Sequence, residues 1–189
     1  MESIFKLPWH KNFKKDSEIS LAKASIKGDL LAFTELMKRH KVYLYKIAYS
    51  YIKDEQKALD ILQETTSKGL INVSKLKEPQ FFKTWITRIL INIAIDYSKK
   101  ESNIVYLNDE VLINDYIENV GIEEKLDLYD AIDMLNDKYK MVIILKYFND
   151  MTYEQIGSSM DIPVNTVKSH LRRARLELKN ILSEGDLNE

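Results

Sequence analysis

Apolar residues recur at three- and four-residue intervals along most of this chain, and little interrupts them. Five glycines and three prolines are spread over 189 residues. Strand-like alternation is nearly absent, so the hydrophobic period admits helices and argues against a sheet. Such a chain is expected to be all-α. It has no cysteine, which removes disulfides and thiolate metal sites. The amino-terminal stretch lacks the continuous apolar run of a signal peptide. The most apolar helix, Trp85 to Tyr97, is interrupted by Arg88, Asn92 and Asp96, which does not suit a membrane span. A cytoplasmic protein is the expectation.

The pattern divides into two small helical domains. Residues 1–19 read as a basic arm and residues 20–100 as a first helical unit. Residues 101–122 read as an acidic linker, and residues 123–185 as a second helical unit. In the first unit, Ser20 or Ser25 is positioned to open a helix, and Asp29 and Asp54 to cap two more. Phe33, Leu36, Met37, Tyr43, Leu44, Ile47 and Tyr51 are expected to face inward. So are Ala58, Ile61, Leu62, Thr65 and Leu70. A polar connector, Ser74 to Gln80, contains Pro79. The helix after it, Phe81 to Lys100, places Trp85, Ile89, Ile93 and Tyr97 inward.

In the second unit the stretch Thr152 to Leu178 reads as two short helices joined by a tight turn. Thr152 caps the first and Gln155 closes a capping box. Tyr153, Ile156 and Met160 share a face, and Gly157 leaves room for a close crossing. Asp161 tolerates turn conformations, and Pro163 suits a helix start. Beyond the turn, Val167, Leu171, Ala174 and Leu178 form an inward stripe. Lys168, Arg172, Arg175 and Lys179 repeat at the same spacing one position further round, widened by Ser169 and Arg173. One side of such a helix packs while the other lays cations against phosphates and base edges. The formal net charge of −1 conceals this segregation. From Val164 to Lys179 the cations face Glu177 alone, whereas from Glu101 to Asp133 acids prevail over Lys125 alone.

Three patches, in order, resemble the extracytoplasmic-function group of sigma-70 factors, over nearly the whole of residues 20–182. ALDILQET, residues 58–65, resembles the family's acidic polymerase-binding segment. FKTWITRILINIAIDYSKK, residues 82–100, resembles its promoter-opening helix. NTVKSHLRRAR, residues 165–175, resembles its recognition helix. The resemblance implies sigma domain 2 at residues 20–100 and sigma domain 4 at residues 123–185. It implies a factor that directs core RNA polymerase to promoters, for a stress or envelope-response regulon.

The resemblance also implies roles residue by residue. Asp60, Gln63 and Glu64 would bind the polymerase clamp, with the flap region as a further contact. Leu76, Trp85, Arg88, Asn92 and Lys99 would serve the minus-ten element. Thr166, Lys168, Ser169, Arg172, Arg173 and Arg175 would serve the minus-thirty-five element. Thr65-Thr66, Leu76 and Lys99-Lys100 depart from family preferences for aromatics or arginines. His170, often arginine in the family, either meets phosphate or is solvated. Partners would be core polymerase, promoter DNA and an anti-sigma factor, often membrane-anchored in the family, with no small-molecule substrate, cofactor or metal.

Two other classes compete with this reading. A conventional helix-turn-helix regulator binding an operator without polymerase gives the patches at 58–65 and 82–100 no purpose. An enzyme finds no support: His10, His40 and His170 are isolated in sequence, and no phosphate-cradling glycine loop or nucleophile–base pair is present.

Overall fold

The computed structural model describes residues 17–102 and 122–185. The basic arm up to residue 16 and most of the acidic linker lie outside the described residues. Among the described residues eight α-helices run in the order α1 (Glu18–Ile26), α2 (Leu30–Ile52), α3 (Glu55–Asn72), α4 (Phe82–Ser102), α5 (Ile122–Met134), α6 (Asp137–Ile143), α7 (Tyr153–Met160) and α8 (Val164–Gly185). Short 3-10 turns at Val73–Lys75 and Pro79–Phe81 join α3 to α4, and a π turn at Ile144–Phe148 continues α6.

Side-chain caps set the helix starts. Asp29 Oδ1 accepts from the Leu31 and Ala32 amides at 3.0 and 3.1 Å. Asp54 Oδ1 accepts from the Lys57 amide at 2.9 Å. Asn136 Oδ1 accepts from the Tyr139 amide at 3.1 Å. Each satisfies amides that the helix leaves without an internal acceptor. The first helix opens at Ser17, whose hydroxyl accepts from the Ser20 amide at 3.1 Å, and not at Ser20 or Ser25. Ser25 is buried instead and donates to the Leu21 carbonyl at 2.8 Å. The capping signal repeated within this stretch, and burial of Ser25 decided between the copies.

Helices α1 to α4 form one lobe. Its core contains Phe33, Leu36, Leu44, Ile47, Ile61, Ile86 and Leu90, each at most 2% exposed. The close packing of α3 depends on Gly69. A Cβ there would stand 2.6 Å from Ile86 Cδ1 and 3.2 Å from Phe33 Cζ. Leu70, expected inward, is 42% exposed because Gly69 takes the inner position.

The buried face of α4 also differs from the expected one. Phe82, Ile86, Leu90, Ile91, Ile93 and Ala94 are buried, whereas Trp85, Ile89 and Tyr97 are only half-buried. The reason is tertiary. Helix α4 packs on α2 and α3 on one side and on α6 and α7 on the other. Its buried arc is therefore wider than a one-sided helix requires, and is centred elsewhere.

The second lobe, α5 to α8, buries Ile132, Leu135, Met141, Val142, Ile143, Ile144, Leu145, Ile156, Val167, Leu171 and Ala174. Met134 is 69% exposed at the end of α5. A single buried cluster runs through both lobes. The sequence separates two units but says nothing of how they meet. They meet along α2 and α4, which pack on α6, the π turn and α7. Tyr51, fully buried at the end of α2, donates its hydroxyl to Asp137 Oδ1 at 2.7 Å. Burial, reinforced by that carboxylate, pushes the Tyr51 phenol well above its usual range.

Candidate nucleic-acid interface

The turn between α7 and α8 is built by local chemistry. Thr152 Oγ1 accepts from the Gln155 amide at 3.2 Å, and the Thr152 amide donates to Gln155 Oε1 at 2.8 Å. This reciprocal box starts α7. Asp161 ends it in the left-handed region at φ 58° and ψ 44°. The chain then doubles back, and the Ile162 amide donates to the Gly157 carbonyl at 2.9 Å. A Cβ on Gly157 would stand 2.8 Å from the Ile162 carbonyl oxygen, so only glycine admits this return. Pro163 precedes α8 and its carbonyl accepts from the Val167 amide at 3.1 Å.

Helix α8 then divides its two faces as its spacing predicts. Val167, Leu171 and Ala174 are at most 4% exposed, and Leu178 packs against the same core. Lys168, Ser169, Arg172, Arg173, Arg175 and Lys179 are exposed, and Thr166 is half-buried. A shallow groove of about 380 Å³ runs along this face, lined by Tyr153, Leu171 and Leu176 with Lys168, Arg172, Arg175 and Lys179. It joins positive charge to an apolar floor, a combination that suits a sugar-phosphate edge.

Two tyrosines on this face were not singled out as interface residues in the sequence. Arg175 donates to the Tyr147 hydroxyl and lies 5.5 Å from the centre of its ring. That hydrogen bond holds the Arg175 guanidinium even more firmly in its charged form. Lys168 lies 5.9 Å over the Tyr153 ring. Periodicity places Tyr153 on a packing face with Ile156 and Met160, and nothing local in the sequence distinguishes the hydroxyl end of either tyrosine.

His170 is half-buried on α8. Its ring meets Tyr139 edge-on at 5.4 Å, and Nδ1 is shielded from solvent without a hydrogen-bond partner among the described residues. Burial, with help from Lys138 and Arg173, lowers its pKa.

The face of α4 is arranged differently. Arg88, Asn92 and Lys99 lie at helical spacing, and Asn92 and Lys99 are exposed. Arg88 is engaged: its Nη2 donates to the Ser158 carbonyl at 2.7 Å and meets Asp161 Oδ1 at 3.1 Å. Trp85 packs on Phe82, with ring centres 5.8 Å apart, and Phe82 in turn meets Phe33 edge-on at 6.1 Å. Phe81 is 56% exposed. Leu76, in the connector, is 7% exposed and belongs to the core cluster. An open groove of about 740 Å³ separates the lobes here, bounded by Leu76, Phe81, Trp85 and Arg88 on one side and Pro163 and Val164 on the other.

Helix α3 brings Asp60, Gln63 and Glu64 to one surface-facing side, with Gln63 exposed and the two acids half-buried. Glu64 pairs with Lys68 at 2.8 Å, and Asp60 accepts from Gln56 at 3.5 Å. Thr65 and Thr66 turn their hydroxyls back to the Ile61 and Leu62 carbonyls at 2.7 and 2.8 Å, so neither offers a free donor outward.

Comparisons with known proteins match both lobes. Residues 36–104 fit the family model described as Sigma-70 region 2, and residues 125–178 fit Sigma-70, region 4. The RNA polymerase sigma factor SigV of Bacillus subtilis is 36% identical over 152 residues, covering 79% of this chain and 90% of that protein. The ECF RNA polymerase sigma factor SigW of the same organism is 30% identical over 173 residues, covering 84% and 92%. Among solved structures, CnrH in complex with the cytosolic domain of CnrY aligns with a TM-score of 0.63 at 21% identity, over 89% of this chain and 99% of that one. The sigma factor RpoE of Bartonella quintana, solved with the anti-sigma factor NepR, aligns with a TM-score of 0.61 at 24% identity, over 80% and 96%. At those identities the structural likeness speaks for the fold alone.

Proposed function

This chain belongs to the extracytoplasmic-function sigma factors of the sigma-70 family, and from that premise we propose how its surfaces divide the work of promoter recognition. It is a sigma factor: it gives core RNA polymerase its promoter specificity and acts as a non-catalytic subunit of the initiating enzyme. Residues 20–100 form domain 2 and residues 123–185 form domain 4, with residues 101–122 as the acidic linker between them. The place of action is the cytoplasm. Among the described residues no helix is long and apolar enough to cross a membrane.

The observation that carries the assignment of surfaces is the division of α8. Its apolar stripe is fixed in the core while Lys168, Arg172, Arg173, Arg175 and Lys179 stand exposed on one side. Arg172 and Arg173, with Lys168 and Ser169, read base edges of the minus-thirty-five element, and Thr166 and Arg175 hold its phosphates. Arginine pairs best with guanine O6 and N7, which favours a G-containing element. Leu76, Trp85, Arg88, Asn92 and Lys99 serve the minus-ten element, where melting requires unstacked bases to be held on apolar surface with polar groups at their edges. Asp60, Gln63 and Glu64 dock α3 on the polymerase clamp, and domain 4 meets the flap region. An anti-sigma factor competes for these surfaces. The regulon is one of stress or envelope response.

Three weak contacts on one chain reinforce each other, because each tethered contact raises the effective concentration for the next. The free chain is therefore expected to bind promoter DNA weakly. The test is multi-round transcription of a fragmented bacterial genome by core polymerase, with and without the purified chain. Discrete new start sites that require the chain are the expected result, and aligning their upstream sequences gives the two elements. No new starts, together with tight operator-like binding by the chain alone, would overturn the reading.

A further inference from the structure

We propose that the open groove between the lobes is the docking site of this chain's own amino-terminal arm, residues 1–16. The groove fits a basic peptide rich in aromatic residues, and the arm is such a peptide, tethered beside it. An outside partner that takes the groove must first displace the arm.

The first observation is the chemistry of the groove. Its volume of about 740 Å³ lies inside the range of roughly 300–1,000 Å³ that ligand sites occupy. Phe81 stands 56% exposed on its wall, although its neighbour Phe82 is only 2% exposed. Trp85, Ile162 and Val164 line it half-buried, and Pro163 lines it exposed. Apolar surface gathered in one place and rimmed by polar groups marks an interaction site. The rim here is acidic. Arg88 and Asp161 meet at 3.1 Å and neutralise each other. Glu78 and Glu154, both exposed, then face Lys77 alone.

The second observation is the arm and the place where it leaves the fold. It carries Phe5, Leu7, Trp9 and Phe13 among Lys6, Lys11, Lys14 and Lys15, with Glu2 and Asp16 as its acids. Aromatic side chains bring the large contact area that an apolar groove rewards, and lysines facing an acidic rim fix the register. The matched sigma-70 regions begin at residue 36, so they give the arm no role. Ser17, where the described residues begin, caps α1. Helix α1 packs on both short turns before α4, and the second of these carries Phe81 to the groove wall. Glu18 meets His40 at 3.5 Å, the His40 ring lies 5.9 Å from that of Phe82, and Phe82 lies 5.8 Å from Trp85. The arm thus departs a few side chains from the groove. An extended segment of its length spans at most about 55 Å, so it reaches the whole groove. Tethering holds it there at an effective concentration on the order of millimolar, which suffices for a match too weak to retain a free peptide.

The chain has no cysteine, so introduced pairs report on the arm without background. Leu7→Cys places one thiol in the arm of the full chain, and Thr84→Cys places the other in the groove wall with little change of shape. The reference pair joins Leu7→Cys to Lys41→Cys, an exposed position next to His40 and so near the arm's root. Oxidised glutathione is added to dilute protein, and the disulfides are followed by mass spectrometry. The groove pair is expected to close within one chain about tenfold faster than the reference pair, the advantage of a docked arm over a merely tethered one. Glu78→Gln with Glu154→Gln removes the rim charge at two exposed positions and should reduce that advantage severalfold. Equal rates for the two pairs would leave the groove to an outside partner and overturn the proposal. Disulfides between chains would place a second copy's arm in the groove and overturn it equally. A preference untouched by loss of the rim carboxylates would overturn the match of basic arm to acidic rim.

Discussion

Helices α4 and α8 are the two cationic helices proposed to meet DNA, and they hold their charge in opposite ways. On α8 the cations project from a helix whose other side is sealed into its own lobe, and among the described residues Lys168, Arg172 and Arg173 stand exposed. On α4 the guanidinium of Arg88 is already bonded to the carbonyl end of α7. The difference teaches that an exposed cation and an available cation are distinct. Availability on α8 follows from one helix's amphipathic pattern. Availability on α4 depends on where the second lobe sits.

The largest effect should come from the open helix. Arg172→Ala or Arg173→Ala removes a proposed base contact, and a bidentate arginine pair contributes about 1–3 kcal/mol of discrimination. Transcript yield at the cognate promoter should fall about ten- to a hundredfold, while core polymerase binding measured by fluorescence anisotropy is retained. Asp60→Ala with Gln63→Ala should do the reverse, weakening core binding and leaving DNA contacts intact. Equal behaviour of the two sets would dissolve the distinction between a DNA-reading helix and a polymerase-docking one.

The next effect concerns how each helix is held. A methyl at Gly157 would meet the Ile162 carbonyl oxygen at 2.8 Å, and backbone cannot step aside as a side chain can. Gly157→Ala should destabilise the second lobe by about 1–3 kcal/mol, the usual range for overpacking. Gly69→Ala is nominally tighter, with Ile86 Cδ1 at 2.6 Å, yet that atom ends a flexible side chain. Its cost should be the smaller of the two. Urea denaturation of both variants checks the order, and a larger loss at Gly69 would show that the α3–α4 contact, not the helix-turn-helix turn, is the stiffer one.

Much of this was legible in the sequence because it is local. The capping box of Thr152 and Gln155, the caps at Asp29 and Asp54, the left-handed turn at Asp161 and the two faces of α8 each depend on residues within a few positions of one another. What the sequence left hidden is tertiary. The buried arc of α4 was misplaced because periodicity assumes one packed side, whereas α4 has two. Leu70 was expected inward because the small neighbour that takes the inner position carries no hydrophobic signal. The partner of Arg88 lies 70 positions away in sequence, beyond the reach of any spacing argument. No breaker in the sequence marks the π turn at Ile144–Phe148.

The two histidines in the described residues extend the comparison to acid. His40, in the first lobe, is buried against Phe82 at a ring-centre distance of 5.9 Å, and burial lowers its pKa despite Glu18 nearby. His170, in the second lobe, is lowered by burial and by Lys138 and Arg173. A depressed folded pKa means that the unfolded chain binds protons first. Stability is then complete above the unfolded value near 6.5 and falls as pH drops below it. Urea midpoints should decrease from pH 7.5 to pH 5.5, and His170→Gln should flatten part of that slope. An unchanged slope in the variant would assign the acid sensitivity to His40 and the first lobe.

The smallest expected effect tests whether α8 is as free as its exposure implies. Tyr147 is the exception on the open face, since its hydroxyl accepts a hydrogen bond from Arg175 and its ring lies beneath the guanidinium. If Tyr147 only orients Arg175 toward a phosphate, Tyr147→Phe removes one exposed hydrogen bond and keeps both the charge and the ring. Such a bond contributes about 0.5–1 kcal/mol, so promoter affinity should fall about two- to fivefold. The salt dependence should not change, because the same number of counterions is displaced. Arg175→Ala should instead flatten the logarithmic salt slope by about one unit. Titrations of the polymerase complex across several salt concentrations separate the cases. A flattened slope in Tyr147→Phe would mean that Arg175 loses its phosphate when the hydroxyl is gone. The open helix would then depend on a tertiary partner much as α4 does, and the contrast between them would be one of degree.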